Sequence, residues 1–290
     1  MVAAAAKPKE AVCVTGANGF MGSWLVRSLI EQGYTTIHAS IYPSSDPTHL
    51  FSLSGATSPL VHLHIHEADV LDPDAILKAV EGCQGIFHVV SPCSLDDPKD
   101  RRPNSSDPPC RSRSTCSKPR EKSRNQHKWY PVSKTLAEKS AWDYAEKQGI
   151  DVVAINPSTC LGPLLQPILN ASCAVLLQLL QGSKDTQEYH WLGAVMLKMS
   201  LNFSLNTLST VCGLWLLQDF HGNSLRCECQ LRVNNIEHFR YTGETQPGLV
   251  SCEDAAKRLI NLGLVFTPVE DAVRETVDSL VAKGFLKIQT

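Results

Sequence analysis

Short apolar runs alternate with amphipathic segments over the first 90 residues of the chain and again around residue 150. The apolar runs predict strands at 11–15, 35–41, 61–66, 85–90 and 150–156. The amphipathic segments predict helices at 20–32, 73–80 and 129–148. Strands that are apolar on both faces and alternate with helices indicate a parallel sheet covered on both sides. The pattern therefore predicts an α/β fold built on a doubly wound parallel sheet.

The stretch from Asp96 to Lys128 breaks this pattern. Its 33 residues include no Leu, Ile, Val, Phe, Tyr, Trp, Met or Ala, but ten Lys or Arg, five Asp or Glu, five Pro and six Ser. Such a segment cannot bury enough apolar surface to offset its ordering entropy, so we predict a disordered insert. It is either a solvated basic linker or the product of a reading-frame or splicing error, because structureless loops of this length are rare in compact domains.

Composition excludes several classes of protein. The 290 residues are 43% apolar, and 27 basic against 29 acidic residues give a net charge of -2, which argues against nucleic-acid binding and against a polybasic membrane-surface protein. No run reaches the ~18 uncharged apolar residues of a membrane span, and the first residues lack the pattern of a secretory signal. Eleven cysteines without a C-x-x-C pair favour free thiols in the cytoplasm.

A glycine-rich turn joins the first predicted strand to the first predicted helix. Its sequence is TGANGFMG, with Gly16, Gly19 and Gly22 each three positions apart. Such a turn lets backbone N–H groups approach a pyrophosphate and directs the positive end of the helix dipole at its charge. We therefore predict a Rossmann-type dinucleotide site. Its candidate contacts in the turn are Gly16, Asn18, Gly19, Phe20, Met21 and Gly22.

Further candidate cofactor contacts follow the ends of the predicted strands, where the crevice of such a sheet lies. They are Tyr42, Asp69, Val70, Val89, Ser91 and Pro157. Asp69 is placed either to bind an adenine amine or to cap a helix. The segment 39–46, which reads ASIYPSSD, has neither the acid at the strand tip that holds the ribose 2′-hydroxyl of NAD nor the Arg that accepts the 2′-phosphate of NADP. The missing acid favours NADP, with NAD as the alternative, and Ser40, Tyr42 and His49 are the groups available to a phosphate.

Tyr130 and Lys134 form a second candidate constellation. They lie four residues apart at the start of a predicted helix and therefore share one of its faces. A lysine ammonium beside a phenol stabilises the phenolate and lowers its pKa from ~10 towards a value useful for a general acid. The same lysine can reach the nicotinamide ribose. We predict Tyr130 and Lys134 as the catalytic pair.

These motifs together resemble those of a known family. TGANGFMG, HVVSP, WYPVSKTLAEK and NPSTCLGP are similar to segments of the extended short-chain dehydrogenase/reductases, within the NAD-dependent epimerase/dehydratase superfamily. The resemblance is to the plant cinnamoyl-CoA reductase-like and dihydroflavonol reductase-like group, over about 11–98, 129–195 and 241–286. It implies an oxidoreductase that carries hydride between NADP(H) and a carbonyl or hydroxyl carbon of a phenylpropanoid-like small molecule. It also implies a dinucleotide-binding domain at 1–157 and a substrate domain at 158–290.

The chain departs from this family in two blocks. The family's central strand, which ends in a catalytic serine, would fall where the polar stretch 96–128 lies, and Ser91 and Tyr130 are only 39 positions apart. We assign the serine's role to none of Ser114, Ser117 and Ser123, and we predict that the strand is missing or replaced by another segment. The second block, 196–240, resembles nothing in the family's substrate domain. Two hypotheses follow: an active reductase, or a catalytically defective nucleotide-binding relative or mis-spliced product.

Three histidines alternate along the third predicted strand, at His62, His64 and His66. A metal site needs further ligands at suitable spacing, and we find none. We interpret them as polar residues at a sheet edge and predict no metal. The oligomeric state is not predicted by the sequence.

Overall fold

The computed structural model describes residues 11–90, 129–155, 157, 159–181, 194–196, 213–217 and 265–287. The strands in this part of the chain are β1 Val12–Thr15, β2 Thr36–Ile41, β3 His62–Glu67, β4 Gly85–His88, β5 Asp151–Ile155, β6 Thr159–Leu161, β7 Ala194–Met196 and β8 Gly213–Leu217. The helices are α1 Phe20–Glu31, α2 Thr48–Phe51, α3 Pro73–Val80, α4 Trp129–Gln148, α5 Ala171–Leu180 and α6 Val269–Ala282. All five predicted strands and three predicted helices are present, with ends that differ by at most two residues.

Six strands form one sheet in the order β3-β2-β1-β4-β8-β5, and every neighbouring pair in it is parallel. β6 and β7 form a separate parallel pair. The reversal of strand order beside β1 creates a crevice at the carboxyl ends of the strands, where ligands of open α/β sheets bind. The predicted doubly wound fold is confirmed.

The position between β4 and β5 is filled by β8, a segment that follows β5 in the chain by more than 50 residues. Across the ladder, Leu216 of β8 lies opposite His88 of β4, and Leu217 lies opposite Ile155 of β5. The prediction that another segment replaces the central strand is confirmed. The replacement comes from the second unusual block, and the stretch 96–128 lies outside the described residues.

Helix α1 packs against this sheet through a wide apolar face. Leu25, Val26 and Leu29 are at most 1% exposed, and they belong to one core cluster with Val14 of β1 and Ile37 of β2. Burying each such side chain contributes about 1.5–3 kcal/mol to folding. The helix is terminated just before Gly33, whose φ of 85° is a left-handed conformation that suits glycine.

Helix α6 is hydrogen-bonded to the segment that follows β6 and packs in the same core. The N–H of Gly162 donates to Thr276 Oγ1 and the N–H of Leu164 donates to Ser279 Oγ, both at 2.8 Å. From the other side, Trp24 Nε1 donates to the carbonyl of Pro163, also at 2.8 Å. The core cluster therefore continues across the predicted domain boundary at residue 157, while the division into two domains stays a prediction.

Candidate functional site

Two of the three turn glycines are required by the packing of the turn itself. Gly16 has a φ of 68°, and a Cβ added there would lie 2.8 Å from Val90 Cβ. A Cβ on Gly22 would lie 2.1 Å from the carbonyl oxygen of Gly16 and 2.6 Å from Ala17 Cα. The first turn of α1 therefore sits directly on the β1–α1 turn, and any side chain at Gly22 would push the two apart.

Gly19 differs from the other two because it is open to solvent. It is the N-cap of α1, in an extended conformation, and provides no side chain to cap the helix. A Cβ there would meet only the Gly16 carbonyl oxygen, at 3.3 Å. The first N–H groups of a helix have no partners within it and carry the positive end of its dipole. An anion can therefore approach the backbone closely at Gly19, and the turn fits a pyrophosphate.

The other predicted contacts in this turn contribute mainly through their backbone. Phe20 is buried in the core, and Met21 is partly buried against it. Asn18 is partly exposed beside Gly19. The groups that this turn offers to a phosphate at the helix N-terminus are therefore chiefly peptide N–H groups.

The carboxyl ends of β1 and β4 are joined by a side-chain hydrogen bond next to this turn. Thr15 Oγ1 and His88 Nδ1 lie 3.0 Å apart. Burial, and to a smaller extent the nearby ammonium of Lys134, lower the pKa of His88 to about 4. His88 is therefore neutral at pH 7, and Lys134 of α4 lies close enough to β4 for its charge to act there.

Helix α4 places the predicted pair at this edge of the sheet. Tyr130 and Lys134 lie one turn apart in α4, and Lys134 is partly buried. The side chain of Tyr130 is outside the described residues, as is Ser91. Val89, just after β4, and the buried Pro157, just after β5, follow strand ends at the same edge. The fold thus brings Lys134, His88 and the glycine turn together from three distant parts of the chain.

The three groups predicted for a phosphate near the end of β2 differ in their exposure to solvent. Tyr42 is 65% exposed. Ser40 is buried, and its carbonyl accepts the N–H of Ala17 at 2.9 Å. His49 lies behind the turn, with Nε2 2.9 Å from Ser23 Oγ. The hydroxyl of Ser40 is therefore enclosed by the protein, which argues against the phosphate contact considered for it, whereas His49 is partly exposed.

An acid does reach the loop after β2, but from the neighbouring strand. The N–H of Ser44 donates to Glu67 Oε2 at 3.4 Å, with Ser44 in a left-handed conformation at φ 65°. Glu67 is the exposed last residue of β3. This carboxylate lies on β3, outside the segment 39–46 at the tip of β2, and was not among the predicted contacts. The signal was available, because parallel strands end at a common edge of the sheet.

Asp69 caps the turn that leads to α3. Its Oδ1 accepts the N–H of Leu71 at 3.0 Å, and its carbonyl accepts the N–H of Asp72 at 2.9 Å. Of the two roles considered for Asp69, capping of the helix is not observed, because the N-cap of α3 is Asp72. The adenine contact stays a prediction, as does that of the partly buried Val70. Asp72 in turn caps α3 by accepting the N–H groups of Asp74 and Ala75.

The three histidines of β3 gather with a fourth from β2. The ring of His38 stacks on that of His66 at 4.8 Å and meets that of His64 at 5.3 Å. His38 Nδ1 lies 2.9 Å from the carbonyl oxygen of Ala79 in α3. Within the described ranges, no three His, Cys, Asp or Glu residues are arranged to hold a metal.

Comparison with known proteins identifies the family. The model of the NAD dependent epimerase/dehydratase family matches residues 12–104. Cinnamoyl-CoA reductase 2 of Medicago truncatula is 33% identical, over 96% of this chain and 94% of its own length. Cinnamoyl-CoA reductase 1 of Petunia hybrida is also 33% identical, over 97% of this chain and 95% of its own. The chain belongs to the NAD-dependent epimerase/dehydratase family. Its cinnamoyl-CoA reductase-like relatives place it among the NAD(P)-dependent reductases of this family.

A solved structure agrees with this assignment at the level of the fold. Vestitone reductase from alfalfa superimposes with a TM-score of 0.64 at 24% identity, covering 96% of this chain and all of the alfalfa chain. The alignment with the Medicago truncatula protein spans 332 positions, more than the 290 residues of this chain. That relative therefore carries residues with no counterpart here. In the part of the chain that the structure covers, no helix is long and apolar enough to cross a membrane.

Proposed function

We propose that this family member binds NADP(H) at the glycine turn and interconverts a carbonyl and an alcohol on a phenylpropanoid-like small molecule. The observation that carries the proposal is the open N-terminus of α1 at Gly19, with Lys134 at the same edge of the sheet. Gly16 and Gly22 bring the backbone into position, and the free N–H groups of α1 would hold the pyrophosphate.

The reaction needs a proton at the substrate oxygen. The nicotinamide would supply or accept hydride at the substrate carbon. Tyr130 would donate its phenolic proton to the carbonyl oxygen, and the ammonium of Lys134 would stabilise the phenolate left behind. Because burial keeps His88 neutral, it adds no second positive charge beside Lys134.

A second candidate function is nucleotide binding with little turnover. In the family resemblance, an orienting serine comes from the end of the central strand, and here that strand is β8. Its last residues, Leu216 and Leu217, lie level with His88 and Ile155 and have apolar side chains. Losing one donor that holds a reacting oxygen typically costs ~10²–10³ in rate. This observation supports weak turnover of bound substrate.

The experiment measures binding and turnover separately on the full chain. NADPH binding is followed by fluorescence, and NADPH oxidation is followed with cinnamaldehyde-type and cinnamoyl-CoA-type substrates. Tyr130→Phe removes the proposed proton donor, and Tyr144→Phe is the matched control because Tyr144 is exposed on the same helix. Turnover lost in the first variant and kept in the second supports the reductase. Binding without turnover in the wild-type chain supports the second candidate, and absence of NADPH binding contradicts both.

A further inference from the structure

A chain of hydrogen bonds runs from α2 to the N-cap of α1, behind the surface proposed to hold the pyrophosphate. His49 Nε2 lies 2.9 Å from Ser23 Oγ, and Ser23 Oγ lies 2.7 Å from the carbonyl oxygen of Gly19. Ser23 is completely buried. Asp46 Oδ1 accepts the N–H of Thr48, the first residue of the short helix that carries His49, at 2.8 Å. We infer that His49 is a positioning residue for the pyrophosphate turn and acts through Ser23; this inference rests on the proposed function of the same site.

The hydrogen bonds act on one peptide group. The carbonyl oxygen of Gly19 accepts both the N–H of Ser23, at 2.9 Å, and its hydroxyl, at 2.7 Å. Because a peptide group is planar, two bonds to its carbonyl oxygen also set the direction of its N–H. That N–H belongs to Phe20, the first residue of α1 and one of the donors without a partner in the helix. Fixing the Gly19 carbonyl therefore directs the N–H of Phe20 toward the surface proposed to hold the pyrophosphate.

Glycine at the N-cap makes this external support necessary. Ser, Thr, Asp or Asn at that position would cap the helix and rigidify the turn, but the side chain would use the N–H groups that a phosphate needs. Glycine leaves these groups free at the cost of conformational freedom. Ser23 and His49 restrain the turn from the protein side, where no ligand competes for the contact.

The direction of the bonds follows from the number of protons available. The Ser23 hydroxyl has one proton, which it donates to the Gly19 carbonyl at 2.7 Å and not to the more distant Ala17 carbonyl at 3.3 Å, so it accepts from His49. His49 then carries its proton on Nε2 and has a lone pair on Nδ1, and this buried atom has no hydrogen-bond partner among the described residues. Burial lowers the pKa of His49, Asp46 raises it and Lys283 lowers it. The neutral Nε2–H form supplies the donor that the chain of bonds requires.

The test is a double-mutant cycle on the full-length chain. Ser23→Ala, His49→Leu and the double variant are titrated with NADPH, and His49→Gln restores an N–H donor. Adenosine 2′-monophosphate is the second probe, because it has no pyrophosphate. His62→Leu is the matched control, since His62 is exposed on β3, the far edge strand of the sheet. Thermal unfolding of each variant is recorded alongside.

The expected result is an approximately fivefold weaker NADPH affinity in Ser23→Ala and in His49→Leu, from the loss of one hydrogen bond. His49→Gln and His62→Leu should bind as the wild type does, and His49→Leu should cause no further loss in the Ser23→Ala background. Affinity for adenosine 2′-monophosphate should not change. Additive losses, equal losses for both probes or unchanged NADPH binding in His49→Leu would overturn the assignment. A wild-type chain that binds no NADPH would instead overturn the proposed function.

Discussion

His88 and Thr15 are hydrogen-bonded at 3.0 Å across the carboxyl ends of β4 and β1, although they are 73 residues apart in the chain. The bond ties together the two strands on either side of the glycine turn. The pKa of His88, lowered to about 4 by burial and then by Lys134, keeps the imidazole neutral at the edge of the proposed site. This pKa leads to a measurable dependence of stability on pH.

We expect the free energy of unfolding to fall between pH 6.5 and pH 4. A histidine whose pKa is lowered by folding binds its proton more readily in the unfolded chain, so acid favours unfolding until the folded pKa is passed. From pH 7 to pH 5 the loss from His88 is about 2 kcal/mol. Urea denaturation at both values measures it. His88→Phe should remove most of the dependence, whereas His62→Gln should retain it; equal slopes in all three chains would contradict the prediction.

A smaller contribution of the same sign comes from His66. Burial lowers the pKa of His66, and the neighbouring His38 and His64 lower it further. Protonating one ring of this cluster would place a positive charge within about 5 Å of the next. His66→Asn should therefore reduce the loss of stability between pH 6.5 and pH 5, measured by urea denaturation. A steeper loss in this variant would contradict the assigned cause.

Substitutions at Gly22 and Gly19 should separate folding from binding. Gly22→Val places atoms within 2.1 Å of the Gly16 carbonyl oxygen and should destabilise the fold by about 3 kcal/mol. Gly19→Val meets only a 3.3 Å contact and should fold, but its side chain covers the surface open to a ligand. We expect its NADPH affinity to be at least ~10-fold weaker, as loss of close backbone approach requires. Normal NADPH binding by Gly19→Val would show that the site lies elsewhere.

Glu67 should influence the choice between NADPH and NADH. Its carboxylate lies at the loop after β2, where a 2′-phosphate would meet like charge. Glu67→Gln should tighten NADPH binding about threefold, in keeping with an exposed charge interaction, and leave NADH binding unchanged. Fluorescence titration with both nucleotides measures the ratio, and Glu81→Gln, exposed after α3, is the control. A gain for both nucleotides alike would rule out a specific effect on the 2′-phosphate.

The central position of β8 can be tested through its backbone. Strand residues paired on both sides exchange their amide protons slowly, so residues 214–216 should be protected in hydrogen exchange. Leu216→Pro removes a ladder N–H and should lower the free energy of unfolding by at least ~1 kcal/mol. Rapid exchange throughout 214–216 would contradict this strand order.

Several strands, turns and helix ends of this protein could be predicted because each depends on residues that are close together in the sequence. The apolar run at Val12–Thr15, the glycine turn, the cap formed by Asp72 and the apolar spacing of α1 each act within about a dozen residues, and the structure has them where they were predicted. The same holds for α4, which carries Tyr130 and Lys134. These signals sufficed for the fold class and for the edge of the sheet at which we propose the site.

Contacts between residues that are far apart in the chain became visible only in the tertiary structure. The run GLWLL at 213–217 has the composition of a strand, but its place between β4 and β5 depends on the pairing of three segments far apart in the chain. Glu67 reaches Ser44, and His49 reaches Ser23, through the register of β2 with β3 and the packing of α2 beneath α1. Such contacts form because the whole sheet and its core are assembled, and a local pattern of apolar and polar residues does not encode the partner.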